Sequence, residues 1–154
     1  MKPQIISVAE TQIGIHEDEA HTNHGEAIKY QAASGLGNAG GYPWCQSFVV
    51  WCGREAYGKN SPIPKTGGVL ECLRLARERG IPVSNVPQIG SQFIMDEGGG
   101  KGHTGLVIAI DGDKLTTIEG NSNPQGGRDG YAVTLQTKRH IKDMKCFINY
   151  NFTS

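Results

Sequence analysis

The hydrophobic period of this sequence changes once, near Pro82, and that change decides its class of fold. Before it, apolar residues recur at helical spacing. Pro3 to Ile13 sets Ile5, Ile6, Ala9 and Ile13 on one stripe, and Gly14 is the expected stop. Asn23 is expected to cap a second helix in HGEAIKYQAASG, which runs into the glycine-rich turn GLGNAGG. Pro43 suits a helix start, so a third helix is predicted from Trp44 or Cys45 through SFVVWCGREA, with Phe48, Val49 and Cys52 on its buried side. GGVLECLRLARERG predicts a fourth, amphipathic helix with Val69, Leu70, Leu73 and Ala76 inward. After Pro82 the period becomes two. SQFIMDE, HTGLVIAIDG, KLTTIEG, YAVTLQTK and KCFINYNF are short β-branched or aromatic runs separated by Gly, Asp and Asn turns. Helices followed by an antiparallel sheet make an α+β domain, not a doubly wound one. GGGKG, residues 98–102, is the one flexible insert expected, directly before His103.

With 154 residues, the length prior gives one domain spanning 1–154, large enough for a core without staples. Fifteen lysines and arginines balance fifteen aspartates and glutamates, so nothing in the charge calls for nucleic acid or an anionic membrane surface, and a monomer is expected. The N-terminal MKPQIISVAETQIG has no h-region or cleavage site, and no later run is long enough to span a bilayer, so synthesis in the cytoplasm without a signal peptide is expected. Cys45, Cys52, Cys72 and Cys146 are widely and irregularly spaced, which argues against a disulfide framework. Neither they nor His16, His21, His24, His103 and His140 form the close pairs of a zinc site, so neither metal nor organic cofactor is expected.

The reactive chemistry concentrates in three segments. Cys45 stands where a helix begins, and the unpaired amides and positive dipole end of a first turn favour a thiolate, the nucleophilic form. A buried core cysteine is the commoner role, and Cys52, two turns along, fits it. A thiolate cleaving an amide needs a general acid for the leaving amine. Of the five histidines only His103 opens a strongly apolar strand; His16, His21 and His24 fall in a polar interhelical loop and His140 at an exposed strand end. In IEGNSN, Glu119 and Asn121 alternate along a strand end and project from one face. Either answers the need for an acceptor that fixes the tautomer of His103.

Taken together, WCQSFVVWC, GHTGLVI and IEGNSN resemble the CHAP domain, the cysteine, histidine-dependent amidohydrolase/peptidase family with a papain-like fold, whose members hydrolyse amide bonds in bacterial peptidoglycan. Ile13, Gly14 and Glu17 of IG-x2-E, then Asn23 and Gly25 of N-x-G, precede these motifs in the family's order. The resemblance is strongest to the compact phage-type variant. It implies Cys45 as nucleophile, His103 as base and acid, Glu119 as orienting residue and Asn121 as polar fourth member. The oxyanion hole would use the Cys45 amide, with Tyr42 or Gln46 as alternative side-chain donors. Gly90-Ser91 replaces the Gly-Asp of many relatives, which puts a local turn in question, and DGDK lacks the glutamate that a calcium loop requires.

The resemblance implies bacterial peptidoglycan as partner and leans toward an N-acetylmuramoyl-L-alanine amidase, with an endopeptidase as alternative. Action on the wall would follow release, as for a phage lysin, or injection as an antibacterial effector, which would need a cognate immunity protein. A catalytically inactive wall-binding module is the alternative of another class; its groove would use Tyr42, Trp44 and Trp51, although Trp51 is better read as core.

Strand parity tests whether the site can form. A regular two-residue turn, Gly112-Asp113, would point His103 away from Glu119 and Asn121. A three-residue loop, or a bulge restoring the same parity, puts His103 opposite Asn121 with Glu119 as diagonal neighbour. That register is also expected to place Gly105, Val107 and Ala109 beneath the Cys45 helix, with Leu106, Ile108, Ile110 and Ile118 on the other face.

Overall fold

The structure, a computed structural model, describes residues 2–18, 22–122 and 130–152. Four helices come first: α1 (Gln4–Glu10), α2 (Ala27–Ala33), α3 (Cys45–Tyr57) and α4 (Val69–Glu78). Six strands follow: β1 (Val83–Ser84), β2 (Gln92–Gly98), β3 (Lys101–Asp111), β4 (Lys114–Ser122), β5 (Ala132–His140) and β6 (Cys146–Ile148). They form one sheet in the order β1-β6-β2-β3-β4-β5 with every neighbour antiparallel, so the fold is α+β. Among the described residues no helix is long and apolar enough to cross a membrane.

The helical boundaries depart from the pattern where backbone chemistry outranks periodicity. Helix α1 ends at Glu10, and Ile13 is exposed beyond it. Gly14, at φ +97°, turns the chain so that its N–H reaches the Val133 carbonyl at 3.0 Å. Asn23 does not cap α2. It sits at φ +60°, and its carbonyl accepts hydrogen bonds from the Gly41 N–H at 3.0 Å and from Gln31 Nε2 at 2.7 Å, tying together the loops that precede α2 and α3. On α4, Cys72 is fully buried whereas Leu70 is only partly so.

Helix α3 is the hub. It packs on α1, α2 and α4 and lies across β3 and β4. Phe48, Val49 and Cys52 are buried there with Ile5, Ile6, Leu106 and Ile118. Its close approach to β4 depends on Gly120, where a Cβ would lie 2.6 Å from Cβ of Phe48 and 3.0 Å from the Trp44 ring.

The β3–β4 hairpin turns on two residues, pairing Asp111 with Lys114 and Ile110 with Leu115. Past a bulge between Val107 and Ala109 the partners become Val107 with Thr117 and Leu106 with Ile118. The extra residue is Ile108, and it restores the parity the site requires. Continued one pair further, this register sets Gly105 opposite Glu119, with His103 two residues along β3 on the same face as Gly105.

The assignment of faces is the reverse of expectation. Thr104, Leu106, Ile118 and Gly120 face the helices, while Val107 joins Phe93, Leu115 and Phe147 in a smaller cluster on the other side. Ala109 and Ile110 are both exposed. Gly105 makes room for Glu119 and Phe93 rather than for a helix. Parity fixes which residues share a face, but the cover each face receives depends on the other elements. GGGKG is a hairpin turn, with Gly98, Gly99 and Gly100 at positive φ and Lys101 and Gly102 already in β3. At the Gly90-Ser91 departure the turn is held by Ser91 Oγ, which accepts from the Gln88 N–H at 2.8 Å and donates to Asn149 Oδ1 at 2.5 Å.

Candidate active site

Trp44 precedes the first residue of α3, and among the described residues no side chain caps that end, so the positive end of the helix lies at Cys45 without a capping oxygen. Gly120 brings this end of α3 against β4 near the start of β3, where His103 stands. Cys45 is 6% exposed, His103 2% and Glu119 0%.

His103 Nε2 and Glu119 Oε1 are 2.6 Å apart. The ring therefore presents Nδ1 away from Glu119, and Nδ1 has no hydrogen-bond partner among the described residues. Burial alone would lower the His103 pKa. The nearby Cys45 sulfur and the hydrogen-bonded Glu119 carboxylate outweigh it and push the pKa up to about 9. Burial likewise would raise Glu119, yet Arg139 and His103 bring it down to about 2, so this carboxylate is an anion. Thr117 Oγ1 donates to Glu119 Oε2 at 2.6 Å, and Arg139 donates to both oxygens, from Nε at 2.8 Å and from Nη2 at 2.6 Å.

Asn121 adjoins this row without hydrogen-bonding to the ring. Its backbone is left-handed, φ +51°, and its buried Oδ1 has no partner among the described residues. Of the two orienting candidates, Glu119 is the one that touches His103. Gln46 is turned into the core, where its Oε1 accepts from Gln92 Nε2 at 2.6 Å and its amide lies beside Cys72. Trp44 is 0% exposed, stacked on Tyr30 at 5.2 Å between ring centroids. Tyr42 is 48% exposed and is the one member of the expected groove that faces solvent freely; Trp51 is half-buried.

The order in which these residues occur along the chain is that of a known family. The CHAP domain profile matches residues 37–121, more than half of the chain and the stretch that contains Cys45, His103 and Glu119. The chain belongs to the CHAP domain family. CHAP domains are cysteine- and histidine-dependent amidohydrolases or peptidases that act on peptidoglycan. The crystal structure of Ly7917 superposes with a TM-score of 0.52 at 16% sequence identity, aligning 94% of this chain with 60% of that one. The likeness is one of fold, and this chain spans 60% of that protein's length. No curated protein sequence matches the chain significantly.

Two supports of this CHAP site were not assigned from sequence. Glu17, the acid of IG-x2-E, is buried and accepts from Trp44 Nε1 at 2.8 Å and from the Thr22 N–H at 3.0 Å, so it anchors the residue before Cys45. IG-x2-E contains Glu17 but does not show what the carboxylate holds. Arg139 lies in TKRH, where it reads with Lys138 and His140 as a solvated strand end. His21 lies outside the described residues; His16 and His24 are exposed and His140 is half-buried.

Proposed function

We propose that this CHAP domain is a cysteine amidase that cuts the amide joining the lactyl group of muramic acid to L-alanine. The observation that supports it is the row formed by Cys45 at an uncapped helix start, His103 beside it and the anionic Glu119 on the far ring nitrogen. In this reading the Cys45 thiolate attacks the carbonyl carbon and the first-turn amides of α3 hold the oxyanion. His103 delivers the Nδ1 proton to the departing amine, and the acyl group stays on sulfur as a thioester. Neutral Nδ1 then takes a proton from water, whose oxygen attacks the thioester, and the thiolate leaves. Nε2–H stays on Glu119 throughout, so the ring keeps one tautomer.

The choice of the lactyl–alanine amide rests on the likeness of the motifs to the phage-type variant; cleavage in the stem or cross-bridge would make the enzyme an endopeptidase with the same steps. A non-hydrolytic wall binder is less well supported, because Trp44, which its groove needs, is covered by Tyr30. Mass spectrometry of purified peptidoglycan after digestion tests the bond. New L-alanine amino termini paired with peptide-free muramic acid are expected; new termini within the stem would replace the amidase reading by the endopeptidase one.

A further inference from the structure

Arg139 reaches Glu119 from a distance. It pairs with Leu115 across β4–β5, and a bulge separates that pair from Thr117 with Gln136, so its side chain runs past Thr117 to the carboxylate. The side chain is 14% exposed, and the guanidinium carbon lies 6.0 Å from the centroid of the Phe93 ring. Glu119 Oε1 thereby serves both His103 Nε2 and Arg139 Nη2, each at 2.6 Å. Oε2 serves Thr117 and Arg139 Nε.

We propose that Arg139 is a positioning residue that locks Glu119 in line with His103 and takes up part of its negative charge, so that the imidazole remains able to give up its proton. The inference rests on the reading of Cys45 and His103 as the reacting pair. A forked guanidinium fixes both oxygens of a carboxylate, which the point charge of a lysine does not. Its positive charge also opposes the imidazolium on the same oxygen, holding down the pull of Glu119. The groups that act on this balance come from several elements. Cys45 at the start of α3 and Glu119 on β4 face the ring; Glu97 on β2 and Asp143 in the turn after β5 act on Arg139.

The test uses Arg139→Gln and Arg139→Lys in the full chain. Three readouts are followed: NMR titration of the His103 ring without substrate, kcat and KM on solubilised peptidoglycan, and melting temperature. In Arg139→Gln the His103 titration should move up by about one unit, and kcat should fall about tenfold or more with KM little changed. Arg139→Lys should keep the titration near that of the wild type yet lose several-fold in kcat, because the charge remains and the fork does not. A folded Arg139→Gln variant with unchanged titration and kcat would overturn the inference. If that variant does not fold, an Arg139→Lys enzyme with undiminished kcat would overturn it. Wild-type protein inert on peptidoglycan would remove the proposed function instead, while the His103 titration would still decide the role of Arg139.

Discussion

His103 Nε2 meets Glu119 Oε1 at 2.6 Å because one residue, Ile108, bulges out of β3 between the hairpin turn and the site. Without it the two-residue turn would send the histidine and the glutamate to opposite faces of the sheet. Deleting Ile108 should therefore abolish hydrolysis, and a crystal structure of the deletion variant should show the two side chains on opposite faces.

The four cysteines are unpaired. Burial raises the pKa of Cys52 well above its usual range, takes Cys72 to about 11 and raises Cys146 too. Iodoacetamide at neutral pH should label Cys45 first and end hydrolysis in step with labelling, as read by peptide mapping. Earlier labelling of Cys52, Cys72 or Cys146 would contradict the assignment. Cys45→Ala should lose activity with little change in melting temperature, whereas Cys52→Ala should stay active and lose roughly 1–2 kcal/mol through the cavity it leaves.

His103→Ala should lower kcat by orders of magnitude, since thiolate pairing and leaving-group protonation fail together. Alanine at His16, His24 or His140 should leave kcat within about twofold. An essential residue among those three, with His103 dispensable, would refute the site.

Gly105→Ala probes the packing behind the pair. The added Cβ would lie 2.7 Å from Glu119 Cγ, 2.7 Å from the Ile118 carbonyl oxygen and 2.8 Å from the Phe93 ring. Two of these neighbours cannot swing away freely, so the variant should lose about 1–3 kcal/mol of stability. Its kcat should fall as well, measured on the folded fraction.

The pair also predicts how stability depends on pH. Glu119 is lowered from 4.5 to about 2, so its contribution is present above 4.5 and is lost as pH falls toward 2. His103 is raised from 6.5 to about 9, so its contribution is full below 6.5 and disappears as pH rises through 9. Melting temperature should peak between these limits and decline on both sides. Glu119→Gln should flatten both limbs; an unchanged profile would mean that the pair contributes nothing to folding.

Much of this arrangement was legible in the sequence, for identifiable reasons. Pro43 and the apolar spacing behind it locate the start of α3 within one residue, and strand parity requires the bulge that Ile108 supplies. What parity cannot give is the cover of each face, because Gly120, not Gly105, admits the helix. Propensity also misled at Asn23, a good cap residue by type that is used instead in a left-handed bend through its carbonyl. Val83–Ser84 is too short to show any period. Arg139 was hidden because its role depends on a bulge in β5 and a reach along the sheet, neither of which leaves a mark in local composition.

In the proposed reaction Cys45 forms a covalent bond with the acyl group of a peptidoglycan amide. Rapid acid quench of enzyme turning over solubilised peptidoglycan, followed by proteolysis and mass spectrometry, measures this directly. A thioester adduct is expected on the peptide containing Cys45 and should be absent from Cys45→Ala, which should also release no new amino termini. Undiminished release of amino termini by Cys45→Ala would contradict it.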